Sequence, residues 1–331
     1  MTYAWDRLNL SNSITGMGKP QYIVRQERFY KPLHEVVSVA IIKSLKSILD
    51  TMYFEGITDI VAQILEGQVI PQLNFLKDIL SGSIDADRMD YLLRDSLHCG
   101  VSYGSFDHDR LIDTLTVFSD GTGSLSLAVD HGGIHSIEAL ILARYYMFTQ
   151  VYMHRTRRIY DIYLKDFMEN WKPDLNPLTA VLDYDDIDLI TMMKNASRDK
   201  NHPSHVVATR ICCRQHHSVI YETSEFADAR TLRKAKGIFQ NLENNSSNYN
   251  FILDEKAKGS IHKFFVPGEH DEGIELQVVH KQRHTLITEE SSILEKIPKL
   301  FHVVRIYVNE KDQAKLNDLR IKAKKIEGEV M

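Results

Sequence analysis

Between Ser83 and Gly100 the chain reads Ser-Ile-Asp-Ala-Asp-Arg-Met-Asp-Tyr-Leu-Leu-Arg-Asp-Ser-Leu-His-Cys-Gly, and this stretch restricts the fold more than any other. The pattern predicts an amphipathic helix, with Ser83 or Asp85 as N-cap and Gly100 as its stop. Ile84, Met89, Leu92, Leu93 and Leu97 supply the apolar face. Asp87, Tyr91 and Asp95 fall at i, i+4 and i+8, so two carboxylates and a phenol share another face. Asp90 and Arg94 form a further i, i+4 pair. Solvated helical faces usually carry Lys and Glu, whereas Asp and Tyr cost helix propensity. A face built from them marks a candidate site. The competing reading is a capped surface helix laced with ion pairs.

A second helix is expected from Pro32 through Leu45, with apolar residues at helical period and His34-Glu35 at its start. Further helices are expected at 57–66 and 69–80. Asp107 is expected to cap a helix over 108–116, which makes the His108-Asp109 pair ordinary N-terminal chemistry. Residues 124–129 alternate like a strand. From Ile137 to Trp171 there is neither Gly nor Pro, so a single helix of about 50 Å is allowed before Pro173. Along it Arg144, Phe148 and Tyr152 stack at i, i+4 and i+8, and His154, Arg155, Arg157 and Arg158 give it a cationic stretch.

The block from Asp85 to Val101 resembles the fourth-ligand helix of HD-superfamily phosphohydrolases. The group it is most similar to is the deoxynucleoside triphosphate triphosphohydrolases, which include the SAM-and-HD-domain enzyme. The resemblance implies a mainly α, HD-domain-like helical core with a C-terminal α+β region. The expected division is an irregular arm over 1–30, a partial HD-like core over 31–175 and an α+β region over 176–331.

The resemblance also implies roles. Asp87 matches the last metal ligand, and His34 and Glu35 match a catalytic His-Glu pair beside the scissile phosphate. Arg88, Tyr91, Asp95, Arg144, Tyr152, His154 and Arg155 match residues around phosphate and sugar. A guanidinium suits phosphate oxygens, and a tyrosine ring against C2′ leaves no room for a ribose hydroxyl. A buried aromatic stripe with a solvated basic face is the plain alternative for the long helix.

Family members hold a divalent metal (Mn, Fe or Mg) with a His and a His-Asp pair that precede the His-Glu helix. Residues 1–33 contain no histidine. Three readings follow: a truncated form of a longer protein, a non-catalytic nucleotide-binding or regulatory subunit without metal, or a site completed by a partner chain. The implied ligand is a deoxynucleoside triphosphate, and homo-oligomeric assembly is expected. A phosphohydrolase acting on another phosphate ester, or a nucleic-acid-binding relative using 155–158, is a further alternative.

Past Pro173, the stretch 183–187 is expected to cap a helix running to about Lys194, and helices are expected over 206–213, 227–242 and 310–326. Strands are expected over 217–223, 251–255, 261–266, 275–280 and 301–308. His216, His217, His280 and His284 have no metal-type spacing with carboxylate or thiol and read as surface histidines. The net charge of -5 argues against wholesale coating of nucleic acid. Three cysteines without metal spacing, no apolar run near the ~20 residues of a membrane span and no signal-like start point to a cytoplasmic protein.

Overall fold

The computed structural model describes residues 33–119, 121–171, 178–262, 264, 275–281 and 283–329. The expected N-terminal arm over 1–30 lies outside them. Helices α1 (Leu33–Ser44), α2 (Lys46–Met52), α3 (Ile57–Leu65), α4 (Asn74–Ser81), α5 (Ala86–Cys99) and α6 (His108–Thr114) come first. Strands β1 (Leu115–Ser119) and β2 (Leu125–Asp130) follow, then α7 (Ile134–Met147), a π-turn (Phe148–Tyr152) and α8 (Arg155–Glu169). Next come α9 (Asp186–Arg198), α10 (His205–Cys212), β3 (Ser218–Glu222), α11 (Ala229–Asn245) and β4 (Phe251–Ser260). The chain continues with β5 (Gln277–His280), β6 (Arg283–Leu286), α12 (Ile287–Glu290), α13 (Ser292–Lys296), β7 (Leu300–Val308) and α14 (Gln313–Glu329). The fold is a helical core with α+β structure toward the C-terminus.

Two compact units arise. In the first, the described residues up to Gln68 go with Tyr160–His216. Its core gathers Phe167 and Met168 of α8 with Leu189, Met193 and Ala196 of α9 and Ala208 of α10. Asp185 starts α9 by a capping box, its carboxylate accepting from the Asp188 N–H while the Asp188 carboxylate accepts from the Asp185 N–H.

The second unit is Val69–Ile159 with His217–Met331. One sheet has the order β1-β2-β5-β6, with β2 and β5 parallel and the outer pairs antiparallel. The other has the order β3-β7-β4, antiparallel throughout. Strand β7 is central and almost wholly buried, and α11 and α14 supply apolar side chains against this sheet. Around the first sheet, α5 and α7 contribute Leu92, Ile137, Leu140, Ile141 and Met147 to a core shared with Val129 and Val278. Burying a side chain such as Leu92 is worth about 1.5–3 kcal/mol.

Several expectations need correction. Helix α6 ends at Thr114, and Leu115–Ser119 pairs with β2 as a strand. The 69–80 helix starts only at Asn74, after a 3-10 turn at Pro71–Leu73. The single helix over 137–171 is interrupted. The Met153 N–H donates to the Phe148 carbonyl at 2.8 Å, a wider loop than the α-helical one, and α8 restarts at Arg155. On α5 the buried stripe runs through Leu92 and Ser96, whereas Leu97 is 78% exposed. Ser96 is placed one turn past Leu92, and Leu97 falls off that line. His217 is buried and is no surface residue. Of the strand expected over 261–266, Ile261 and His262 carry no strand structure. Residues 263, 265 and 266 lie outside the described set.

Candidate functional site

Helix α5 begins and ends as its sequence dictates. The Asp85 carboxylate accepts from the Arg88 N–H at 2.8 Å, and Gly100 closes the helix in the left-handed region at φ 66°. Ser96 then fixes the chain beyond the cap: its hydroxyl donates to the Val101 carbonyl at 2.6 Å and accepts from the Gly104 N–H at 3.2 Å. Burial pushes the Asp85 carboxyl up from its usual range, although the neighbouring Arg88 works against that rise. Arg88 itself turns inward, donating to the Gly82 carbonyl and pairing with Asp85 at 3.2 Å. The expected Asp90–Arg94 pair forms at 2.9 Å on the exposed side, where such pairs add little.

The α5 face meets α7 and the π-turn through two phenols. The Arg144 Nη1 donates to the Tyr91 hydroxyl at 2.7 Å. Tyr152 donates its hydroxyl to Asp95 Oδ2, also at 2.7 Å. The Tyr91 and Tyr152 rings meet edge-on with centroids 6.1 Å apart. Burial, and then the bond to Asp95, hold the Tyr152 phenol well above the usual tyrosine range. Arg144 also directs Nε and Nη2 at the Ser260 carbonyl, at 3.1 and 2.7 Å, and its guanidinium stands 5.0 Å from the Phe148 ring centroid. The stack read from sequence is present, since Phe148 meets Tyr152 edge-on at 5.6 Å.

Four residues named from sequence are thus brought together: Tyr91, Asp95, Arg144 and Tyr152. Their surroundings add Phe148 and the Ser260 carbonyl. The spacing of Phe148 was visible in the sequence, but a main-chain acceptor on β4 leaves no compositional signal. A π-turn inside a helix is rare and recurs at functional sites, and here it carries Tyr152.

The remaining candidates are differently placed. Asp87 is exposed in the first turn of α5. His154 and Arg155 are exposed at the start of α8, where His154 Nδ1 accepts from the Thr156 N–H at 3.3 Å. Burial and the charge of Arg155 press the His154 imidazole below its ordinary value. His34 and Glu35 lie in the first turn of α1, and their side chains are outside the described residues. Among the described residues no three His, Cys, Asp or Glu side chains converge as a metal-holding group. Among the described residues Asp87 is therefore not joined by the further donors of the four-ligand dication centre that the resemblance implies. His108-Asp109 behaves as read from sequence: Asp107 caps α6 through the Arg110 N–H at 3.0 Å.

Residues 106–247 match the family described as the HD associated region. The chain is 39% identical over 117 residues to an uncharacterized protein of Methanocaldococcus jannaschii, MJ1154, covering 35% of this chain and 26% of that protein. It is 37% identical over 94 residues to the uncharacterized Bacillus subtilis protein YwfO, covering 28% of this chain and 21% of that one. The matches thus span about a quarter of the length of these relatives. Among solved structures, a hypothetical protein from Aquifex aeolicus superposes with a TM-score of 0.66 at 24% identity, covering 90% of this chain and 76% of that one. A phosphohydrolase from Bacteroides thetaiotaomicron superposes with a TM-score of 0.59 at 21% identity, covering 84% and 72%. These likenesses establish a shared fold.

Proposed function

From a chain that carries an HD-associated region on a fold also used by a phosphohydrolase, we propose a nucleotide phosphohydrolase relative whose ligand is a deoxynucleoside triphosphate. The observation that carries this reading is the pair of phenol bonds, Arg144 to Tyr91 and Tyr152 to Asp95. They hold two tyrosines and a carboxylate as one preorganised wall, suited to a sugar and the root of its phosphate chain. Arg144 serves this wall by orienting Tyr91, since Ser260 and Tyr91 already engage three of its N–H groups. Of the cations named from sequence, Arg155 is exposed and is the one this reading offers to phosphate, with His154 beside it, whereas Arg88 is already engaged by the Gly82 carbonyl and Asp85. Hydrolysis would split the bond between the 5′ oxygen and the α-phosphorus, giving deoxynucleoside and triphosphate. Asp87 is the metal ligand of this reading, with His34 and Glu35 as the catalytic pair. In this reading a partner chain would supply the co-ligands. A cytoplasmic location and homo-oligomeric assembly go with the proposal.

A second reading is a nucleotide-binding subunit without hydrolysis. The wall of Tyr91, Asp95, Arg144 and Tyr152 serves it equally, since none of its bonds involves a metal donor set. Equilibrium binding of each deoxynucleoside triphosphate, with and without Mn²⁺, tests what the two readings share. Assaying triphosphate release separates them. Saturable binding that favours deoxy- over ribonucleotide is expected. Failure to bind any nucleotide in either condition would remove both.

A further inference from the structure

Phe148 touches three things at once. Its ring lies under the Arg144 guanidinium, meets Tyr152 edge-on and presses against the backbone of Gly259 on β4. A Cβ placed at Gly259 would collide with that ring, nearest its Cε1 and Cδ1 atoms. Gly259 shows no positive φ, so the position is held by space and not by backbone freedom. The next residue, Ser260, offers the carbonyl that receives two N–H groups of Arg144. Both residues sit in register on β7, opposite Phe301 and Leu300, and Phe301 is fully buried. The strand end therefore cannot retreat without breaking a packed ladder. Phe148 is equally fixed from its own side, because its carbonyl closes the π-turn by accepting from the Met153 N–H.

We infer that Gly259 and Phe148 are a positioning pair: the glycine admits the ring, and the ring sets the depth of Arg144 against Tyr91 and the approach of Tyr152 to Asp95. The inference rests on the proposed deoxynucleotide site for its functional meaning, and on the contacts above for its geometry. The pair touches no substrate. It acts through Arg144 and Tyr152, so a change at β4 reaches the wall without altering any residue of it. Adding a methyl at Gly259 displaces the ring against which the guanidinium and Tyr152 rest. Replacing the ring by a smaller side chain returns the space, because volume-conserving exchanges are the best tolerated in packed cores.

The test compares Gly259→Ala, Phe148→Leu and the double variant in the full chain. Two quantities are read: the dissociation constant for deoxynucleoside triphosphates and the ¹⁵N–¹H signal of the Arg144 Nε group. Gly259→Ala is expected to weaken binding by about tenfold or more and to shift or lose the Arg144 signal. The double variant is expected to recover both. A Gly259→Ala protein with parental affinity and an unmoved Arg144 signal overturns the inference, as does a double variant that recovers thermal stability without recovering the signal. If the parent binds no deoxynucleotide, the proposed function fails, and the Arg144 signal alone decides the positioning claim. If Gly259→Ala does not fold, Phe148→Leu decides it: weaker binding with a displaced signal supports the pair, and no change in either rejects it.

Discussion

Tyr152 gives its hydroxyl proton to Asp95 Oδ2 across 2.7 Å, joining the π-turn to the centre of α5. A phenol donating to a carboxylate is a charge-assisted bond, stronger than its neutral counterpart. Tyr152→Phe is expected to destabilise the protein by about 1–3 kcal/mol in urea unfolding, because the half-buried carboxylate loses its donor. Asp95→Asn keeps an acceptor and is expected to cost less.

The same bond sets an alkaline limit. The folded Tyr152 phenol is held above its unfolded value of about 10. The folded state therefore keeps a proton that the unfolded chain releases, so its stabilising effect is complete below that pH and is lost as pH rises beyond it. Ultraviolet titration of tyrosinate should show Tyr152 ionising only as the protein unfolds, and Tyr152→Phe should reduce the fall in stability above pH ~10.

Much of this was readable from the chain. The Asp85 and Gly100 caps are local: a short carboxylate reaches the third N–H, and glycine alone takes a left-handed stop without penalty. The meeting of Asp95 with Tyr152 came from a resemblance, because helical spacing places residues on faces without saying which faces meet. The break at Phe148 was invisible, since a π-turn needs no Gly or Pro to announce it. Leu115 and Thr116 read as the end of α6 until Leu125–Asp130 is present to pair with Leu115–Ser119. The Ser260 carbonyl lies 116 residues from Arg144 and carries no side-chain signature.

Arg158 and Asp254 form a buried ion pair at 2.9 Å, with side chains 3% and 2% exposed. Removing one partner leaves a desolvated charge, so Asp254→Ala is expected to cost about 3–5 kcal/mol by denaturant unfolding. Arg158→Met together with Asp254→Leu should recover a large part of that loss. If the double variant is as unstable as the single one, the pair is not the source of the cost.

His154 offers an electrostatic check on the start of α8. Burial and the charges of Arg155 and Arg305 hold its imidazole below the ordinary 6.5. Proton NMR should show it titrating on the acid side of that value. Arg155→Gln should move it upward, because a neighbouring cation no longer opposes protonation. An unchanged titration would separate His154 from that cation.

The account depends most on the α5 face and the π-turn being a deoxynucleotide site. Its most direct measurement is the affinity for deoxynucleoside triphosphates of the parent against a Tyr91→Phe, Tyr152→Phe variant that retains the parental fold by circular dichroism. Loss of the two phenol-based contacts is expected to weaken binding by about tenfold or more. Equal affinity in parent and variant, or no binding by the parent, would contradict the claim.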